Sequence, residues 1–391
     1  MLKIAIIIER AEIGLGGAER SISELTAELC DQGAEATILA AKGAKTENTE
    51  ILCGDVGGKR TSLKQFENAL QEHFQQNQYD IIHSTLPLSV ADIYQPRGGS
   101  YKEAMLRNIA SYPSALQRCV KQWTHFLNFR RTEYINAEKQ LCSKENKTII
   151  TALSNYVRQQ FQKHYQLPDN RIAVIPNAVN TQLQPDQKIA AELKETIDRS
   201  ISIPKGKKPV LFLFAATNPR LKGLRPLLWA FGKIRDNANI YPVLVIAGAK
   251  GLRSYRGLIK QFGLQDHIVS LGNLDGIRNA LSICDAAVLP SYYDPCSRFI
   301  LEAIAAEKPV ITTRYNGASE RYEHLRHGFI LDEPDDIDNL TDALTRFCNG
   351  EKLKLAHNAI VADNLKDECS IKRHAEKLIE LYKKIIAEKK S

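Results

Sequence analysis

Two doubly wound α/β domains facing across a cleft are the fold that the sequence predicts, and three observations predict it. Short β-rich apolar runs alternate with longer helical patterns along the whole chain, the signature of parallel α/β architecture. The series then restarts: strand candidates at 3–9, 35–41, 80–86, 148–153 and 172–176 are followed by a second set at 209–216, 241–248, 267–272, 286–290 and 308–313. Between the sets lies "IPKGKKP" (203–209), a Pro/Gly/Lys stretch that reads as a linker. A length of 391 residues fits two domains of ordinary size. The expected bounds are 1–180 for the first domain, 205–370 for the second, and 371–391 for a closing helix whose apolar positions Leu378, Leu381, Tyr382, Ile385 and Ile386 repeat at three and four.

Composition narrows the function classes. At 43% hydrophobic and 25% charged, the chain can bury full cores. Its longest apolar runs, such as "IAIII" and "LFLFAA", fall far short of the ~20 residues that a membrane span needs. "MLKIAIIIER" meets a charge too soon for a signal peptide, so a cytoplasmic protein is expected. The eight cysteines include no C-x-x-C pair and have no neighbouring His cluster, which argues against a zinc site or a disulfide framework; no metal is expected. The net charge of +8 is unevenly placed: between residues 96 and 147, ten Lys and Arg stand against four Glu. Such local basicity suits an anionic partner.

The first motif is "IIIERAEIGLGGAERSISELTAELC", a strand, a loop ending in Gly16-Gly17, and an amphipathic helix. Glycines at a helix start let a ligand reach backbone N–H groups. The dinucleotide fingerprint G-x-G-x-x-G is not met, because Glu19 stands at its third glycine. The stretch is therefore either a tight turn or a ligand-facing loop. The second motif, "AATNPRLKGLRPLLWAF" (215–231), clusters Asn218, Arg220 and Lys222 at a strand exit. Two cations there could neutralise a diphosphate as a metal would, or could simply form a solvated turn.

The third motif is "SYYDPCSRFILEAIAAEKPVITT" (291–313). It expects a helix starting at Cys296 or Ser297, with the free N–H groups of Cys296, Ser297 and Arg298 directed into the cleft. Glu302 lies about one turn inside, where its carboxylate can accept hydrogen bonds from ribose or sugar hydroxyls while the helix start takes phosphate. As a nucleophile site the stretch is poorer: it has no G-x-S-x-G elbow and no His nearby in sequence.

"GGAER", "NPRLKG" and "YYDPCSRFILEAIAAEKPVITTRYNGASE", in that order and spacing, resemble the retaining family-4 glycosyltransferases of the GT-B fold over nearly the whole chain. "FQKHYQLPDNRIAVIPNAV" (161–179) and "PLSVADIYQPRGG" (87–99) are similar to the lipopolysaccharide core glucosyltransferases within that family. The resemblance implies two Rossmann-like domains, the C-terminal helix crossing back to the first, and a set of roles. Gly16 and Gly17 would approach the donor from the first domain. Arg220 and Lys222 would bind its phosphates, Asp294 its sugar hydroxyls, the amides around Cys296, Ser297 and Arg298 sugar and phosphate, and Glu302 the ribose. His83, Asp92 and Arg97 would lie on the acceptor side, although His83 can equally be a satisfied core histidine. There is one departure, Asp294-Pro295 where the family usually has Glu; one methylene moves the carboxylate by on the order of 1.5 Å, which bears on the donor sugar.

The reaction so implied is transfer of a hexose from a nucleotide-diphosphate sugar, a UDP-sugar foremost, by metal-independent same-face substitution. No cofactor beyond the donor is expected, and no nucleic acid. The acceptor would be a lipopolysaccharide-core or other envelope glycan, free or phosphorylated, met at the inner face of the membrane. Residues 96–147 carry the membrane expectation. Leu116, Val120, Trp123, Leu127 and Tyr134 recur near helical spacing beside Arg118, Lys121, Arg130 and Arg131, so this helix either lies on an anionic surface or packs into the core. The alternatives are a relative acting on a soluble acceptor, or a non-catalytic nucleotide- or sugar-binding protein. A nicotinamide-dependent dehydrogenase is more distant.

Overall fold

The computed structural model describes residues 1–12, 17–54, 61–124, 128–236, 240–248 and 252–390. By packing, the chain forms two units. The first comprises Met1–Ile109, Ser114–Asn180 and the chain from Ser370 onward; the second comprises Ala110–Pro113 and Thr181–Cys369.

The first unit is built on a seven-stranded sheet of β1 (Lys3–Ala11), β2 (Glu35–Gly43), β3 (Thr49–Ile51), β4 (Ile81–Ser84), β5 (Ile93–Tyr94), β6 (Ile149–Ala152) and β7 (Ile172–Val174). Its order is β3-β2-β1-β4-β5-β6-β7, every neighbouring pair parallel. Successive β1 side chains point to opposite faces, and both faces are covered, so the strand reads as an unbroken apolar run. On one face Ile4, Ile6 and Ile8 pack with Ile22, Leu25 and Leu29 of helix Gly17–Asp31 and with Leu378, Tyr382 and Ile385 of helix Ile371–Lys390. On the other, Ala5 and Ile7 meet Leu63, Phe66 and Leu70 of helix Leu63–Gln76, and Tyr134 of helix Phe129–Leu141. Each large apolar side chain so buried contributes about 1.5–3 kcal/mol, which is what holds the returning C-terminal helix to this unit.

The second unit carries a six-stranded parallel sheet of β8 (Lys208–Ala215), β9 (Ile240–Ala247), β10 (Ile268–Gly272), β11 (Ala286–Leu289), β12 (Val310–Thr313) and β13 (Gly328–Leu331). The order is β10-β9-β8-β11-β12-β13. The winding reverses between β8 and β11, as it does between β1 and β4 in the first unit. Open parallel sheets bind ligands at such a reversal, beyond the carboxyl ends of the strands.

Three features differ from the sequence expectation. Strands β3, β5 and β13 were not foreseen; they are two to four residues long. The chain changes unit at Asn180–Thr181 rather than at 203–209, and helix Gln187–Ser200 already belongs to the second unit, where the Asp186 amide donates to Asn279 Oδ1 at 2.8 Å. Residues 203–207 simply lead into β8. Finally, the basic segment divides into helices Tyr101–Ala110, Ala115–Thr124 and Phe129–Leu141, with 125–127 outside the described residues. The single helix expected there is thus three, and they differ in burial. Tyr134 is core-packed, whereas helix Ala115–Thr124 buries no residue and leaves Leu116 75% and Trp123 76% exposed.

Candidate functional site

At the reversal in the second unit, the segments leaving β8 and β11 are laced together. Gly223 has φ +79°, and a Cβ there would stand 1.9 Å from the Pro290 carbonyl oxygen, so only glycine permits the approach. The Tyr292 amide donates to the Leu221 carbonyl at 2.9 Å. Within the first loop, the Lys222 amide donates to Asn218 O at 3.1 Å and the Leu224 amide to Pro219 O at 2.9 Å, which turns the chain into helix Leu224–Ile234.

This lacing brings Lys222 onto Asp294. Its Nζ donates to Asp294 Oδ2 at 2.7 Å and to the Tyr293 carbonyl at 2.8 Å. Both side chains are mostly buried, at 20% and 15% exposure. An ammonium has three donors, and two are spent on orientation, which leaves one for a ligand oxygen. Asp294 is itself fixed from both sides: its amide donates to Tyr315 O at 2.8 Å and its carbonyl accepts from the Gly317 amide at 2.9 Å. Arg220 donates to the Ser111 hydroxyl, and its guanidinium lies 3.7 Å from the centroid of the Tyr112 ring, a cation–π contact. Neither Ser111 nor Tyr112 carried a sequence signal.

The helix start is less open than expected. Ser297 is the N-cap of helix Arg298–Ala305, but the Cys296 amide already donates to Asp294 Oδ1 at 3.3 Å, and the Ser297 amide to Asn316 Oδ1 at 3.1 Å. The expectation of free N–H groups on these two is corrected: the chain's own acceptors take them. Asn316, fully buried, also accepts from the Ala318 amide at 3.1 Å and donates to Thr312 Oγ1 at 3.0 Å. Sequence reasoning passed over it, although an Asn-Gly pair just after a strand is a turn signal. Arg298 Nε donates to Glu302 Oε1 at 2.9 Å, one helical turn on, so this carboxylate is held where the helix begins. The Cys296 and Ser297 side chains are themselves buried, unlike those of an exposed nucleophile.

In the first unit, Gly17 opens helix Gly17–Asp31, and Gly16 lies outside the described residues. His83 is fully buried, its Nδ1 2.6 Å from the Tyr382 hydroxyl of the C-terminal helix. Burial, with Arg97 and His374 nearby, pushes its pKa down to about 3, so it is a neutral core histidine and not an acceptor-side group. Asp92 is also displaced from that role. It precedes β5, at the amino end of the sheet, where its carboxylate accepts from the Ile82 amide at 2.8 Å and pairs with Lys389 at 2.7 Å. Arg97 does follow β5 at the carboxyl end, and donates to Asn177 Oδ1 at 2.7 Å.

Family comparisons agree with this architecture. Residues 194–363 match the model for glycosyl transferases group 1, and residues 15–183 match the model for glycosyltransferase family 4. An uncharacterized glycosyltransferase of Methanocaldococcus jannaschii, MJ1607, is 31% identical over 50% of this chain and 49% of its own length. The lipopolysaccharide glucosyltransferase WaaG of Escherichia coli is 21% identical over 73% of each chain. A UDP-Gal:alpha-D-GlcNAc-diphosphoundecaprenol alpha-1,3-galactosyltransferase of Escherichia coli is 24% identical over 82% of this chain and 79% of that one. The chain thus spans about half the length of the first of these and roughly three quarters of the other two. The crystal structure of WaaG superposes with a TM-score of 0.74 at 18% identity, covering 97% of this chain and 99% of that one, a likeness of fold.

Proposed function

We propose, from the premise that this chain belongs to the family-4 type glycosyltransferases of the GT-B fold, that it moves a hexose from a nucleotide-diphosphate sugar to an envelope glycan with retention of anomeric configuration. The observation that carries the reading is the Lys222 ammonium, pinned by Asp294 and the Tyr293 carbonyl at the sheet reversal with one donor to spare. A diphosphate leaving group gains negative charge as its bond to the sugar breaks, and donors fixed beforehand lower that cost most. Lys222 and Arg220 supply those donors; Asp294 acts through Lys222 as a positioning residue. In this reading the Asp294 carboxylate also accepts from a sugar hydroxyl and the Glu302 carboxylate from the ribose.

In the reaction so read, the bond from the anomeric carbon to the leaving phosphate oxygen breaks. The acceptor hydroxyl forms the new bond on the same face, and its proton passes to the leaving oxygen. The two protein cations would supply the charge that a divalent metal otherwise brings, and EDTA is expected to leave the rate unchanged. The UDP-Gal-dependent galactosyltransferase and the lipopolysaccharide glucosyltransferase among the relatives support a UDP-sugar donor and a lipopolysaccharide-core or lipid-linked acceptor, which this chain would reach from the cytoplasmic side. Among the described residues no helix is long and apolar enough to cross a membrane. Helix Ala115–Thr124, with Leu116, Val120 and Trp123 on one exposed face beside Arg118 and Lys121, is the surface we assign to lipid contact.

A screen of UDP- and GDP-hexoses with a lipopolysaccharide-core acceptor tests this. One UDP-hexose should be consumed with product formed, and Lys222→Ala should lower kcat by about 10²–10³. Consumption of none of them, with no thermal stabilisation by any nucleotide sugar, would overturn the reading.

A further inference from the structure

A polar groove, apart from the residues of the candidate site, lies in the first unit between helices Leu63–Gln76 and Phe129–Leu141. Its volume is about 730 Å³, within the roughly 300–1,000 Å³ of ligand pockets. Each helix turns one stripe toward it. Glu67, Asn68 and Gln71 come from the first, at spacings of one, three and four. Glu133, Asn136 and Gln140 come from the second, at spacings of three, four and seven. Residues so spaced share a helix face, so two stripes of amides and carboxylates oppose each other. The floor is apolar, supplied by Leu63, Pro87, Ala137 and Leu141.

The charge of the lining selects the ligand. In a chain of net charge +8, this groove is lined by three carboxylates, Glu67, Glu133 and Glu145, and one cation, Lys64. Such a lining repels phosphates and other anions. Nor is it a metal site: among the described residues, no three His, Cys, Asp or Glu side chains converge to hold an ion. Burial, reinforced by the charge of Glu133, pushes the Glu67 carboxyl up, so the two carboxylates disfavour each other and a hydrogen-bond donor between them is welcome. Amides that both donate and accept, carboxylates that accept, and an apolar floor are together the groups that bind sugar hydroxyls and the C–H face of a pyranose ring.

We propose that this groove is a carbohydrate-binding site for a neutral oligosaccharide, separate from the donor site of the second unit. It would take an uncharged stretch of glycan, such as sugars of the acceptor away from the reacting hydroxyl. The site does not depend on the transferase reading, since its test reads binding and not turnover.

The probes are neutral gluco- and galacto-trisaccharides, with a sulfated trisaccharide as anionic control, followed by saturation-transfer NMR and calorimetry on the full chain. At least one neutral probe should bind with Kd of about 1 mM or tighter, whereas the sulfated one should not. Saturating UDP should leave that binding unchanged. The double variant Gln71→Ala/Asn136→Ala should weaken it at least tenfold with an unaltered melting temperature, because both side chains are exposed. Ala137→Trp, which fills the floor, should abolish it. No binding by any neutral probe would overturn the proposal. So would displacement by UDP, or equal binding by the double variant.

Discussion

Asp294 is explained by what its short side chain can reach. Oδ1 accepts from the Cys296 amide two residues on, the geometry of an Asx turn, while Oδ2 holds Lys222. A glutamate, one methylene longer, cannot make the same local turn and keep its other oxygen on Lys222. We therefore expect Asp294→Glu to lower kcat rather than to improve it; a variant as fast as the parent would contradict this. Asp294 and Lys222 should also behave as one unit. Kinetics of Asp294→Ala, Lys222→Ala and the double variant should show the double loss close to the larger single loss, since groups that act together are not additive. Multiplicative losses would refute the positioning role. His83 makes a separate statement about stability. Its folded-state pKa, about 3, lies below the ordinary 6.5, so the unfolded chain takes up a proton across that window and the folded chain does not. The contribution is present above pH 6.5 and is lost as the pH falls toward 3. Urea midpoints at pH 7 and pH 4.5 should differ less for His83→Asn than for the parent, and an unchanged difference would overturn the assignment.

At the scale of elements, the long strands were readable because burial on both faces makes them continuous apolar runs, as in "IAIII" and "LFLFA". Strand β5 was not, because two residues show no period, and β3 and β13 lie near the same limit. The site segments were readable for a different reason: Asn218 to Gly223 and Asp294 to Glu302 are local in sequence and follow strands directly. What local reading missed came from afar, as with Asn316, Ser111 and Tyr112, or was hidden by the chain capping its own amides at Cys296 and Ser297. Helix Ala115–Thr124 carries a prediction of its own. Its apolar face, with the adjacent Phe129, is exposed, and its cations would favour an anionic surface. Sedimentation with vesicles rich in anionic lipid should retain the protein at low salt and release much of it at high salt. Trp123→Glu should weaken retention; absence of binding at both salt concentrations would count against the assignment.

Over the whole molecule, each unit repeats one plan: a parallel sheet wound outward in two directions from a central reversal. That plan follows from the alternation of strand and helix patterns, and the reversal in the second unit explains why the two site motifs, some seventy residues apart, meet at a 2.7 Å ion pair. The central claim is transfer from a nucleotide-diphosphate sugar with retention at the anomeric carbon. The measurement that tests it most directly is proton NMR of the first product formed from an α-linked UDP-hexose, recorded before any equilibration. The account predicts an α-linked product, formed equally well with EDTA present. A β-linked product, or no transfer of the hexose to any envelope glycan, would contradict it.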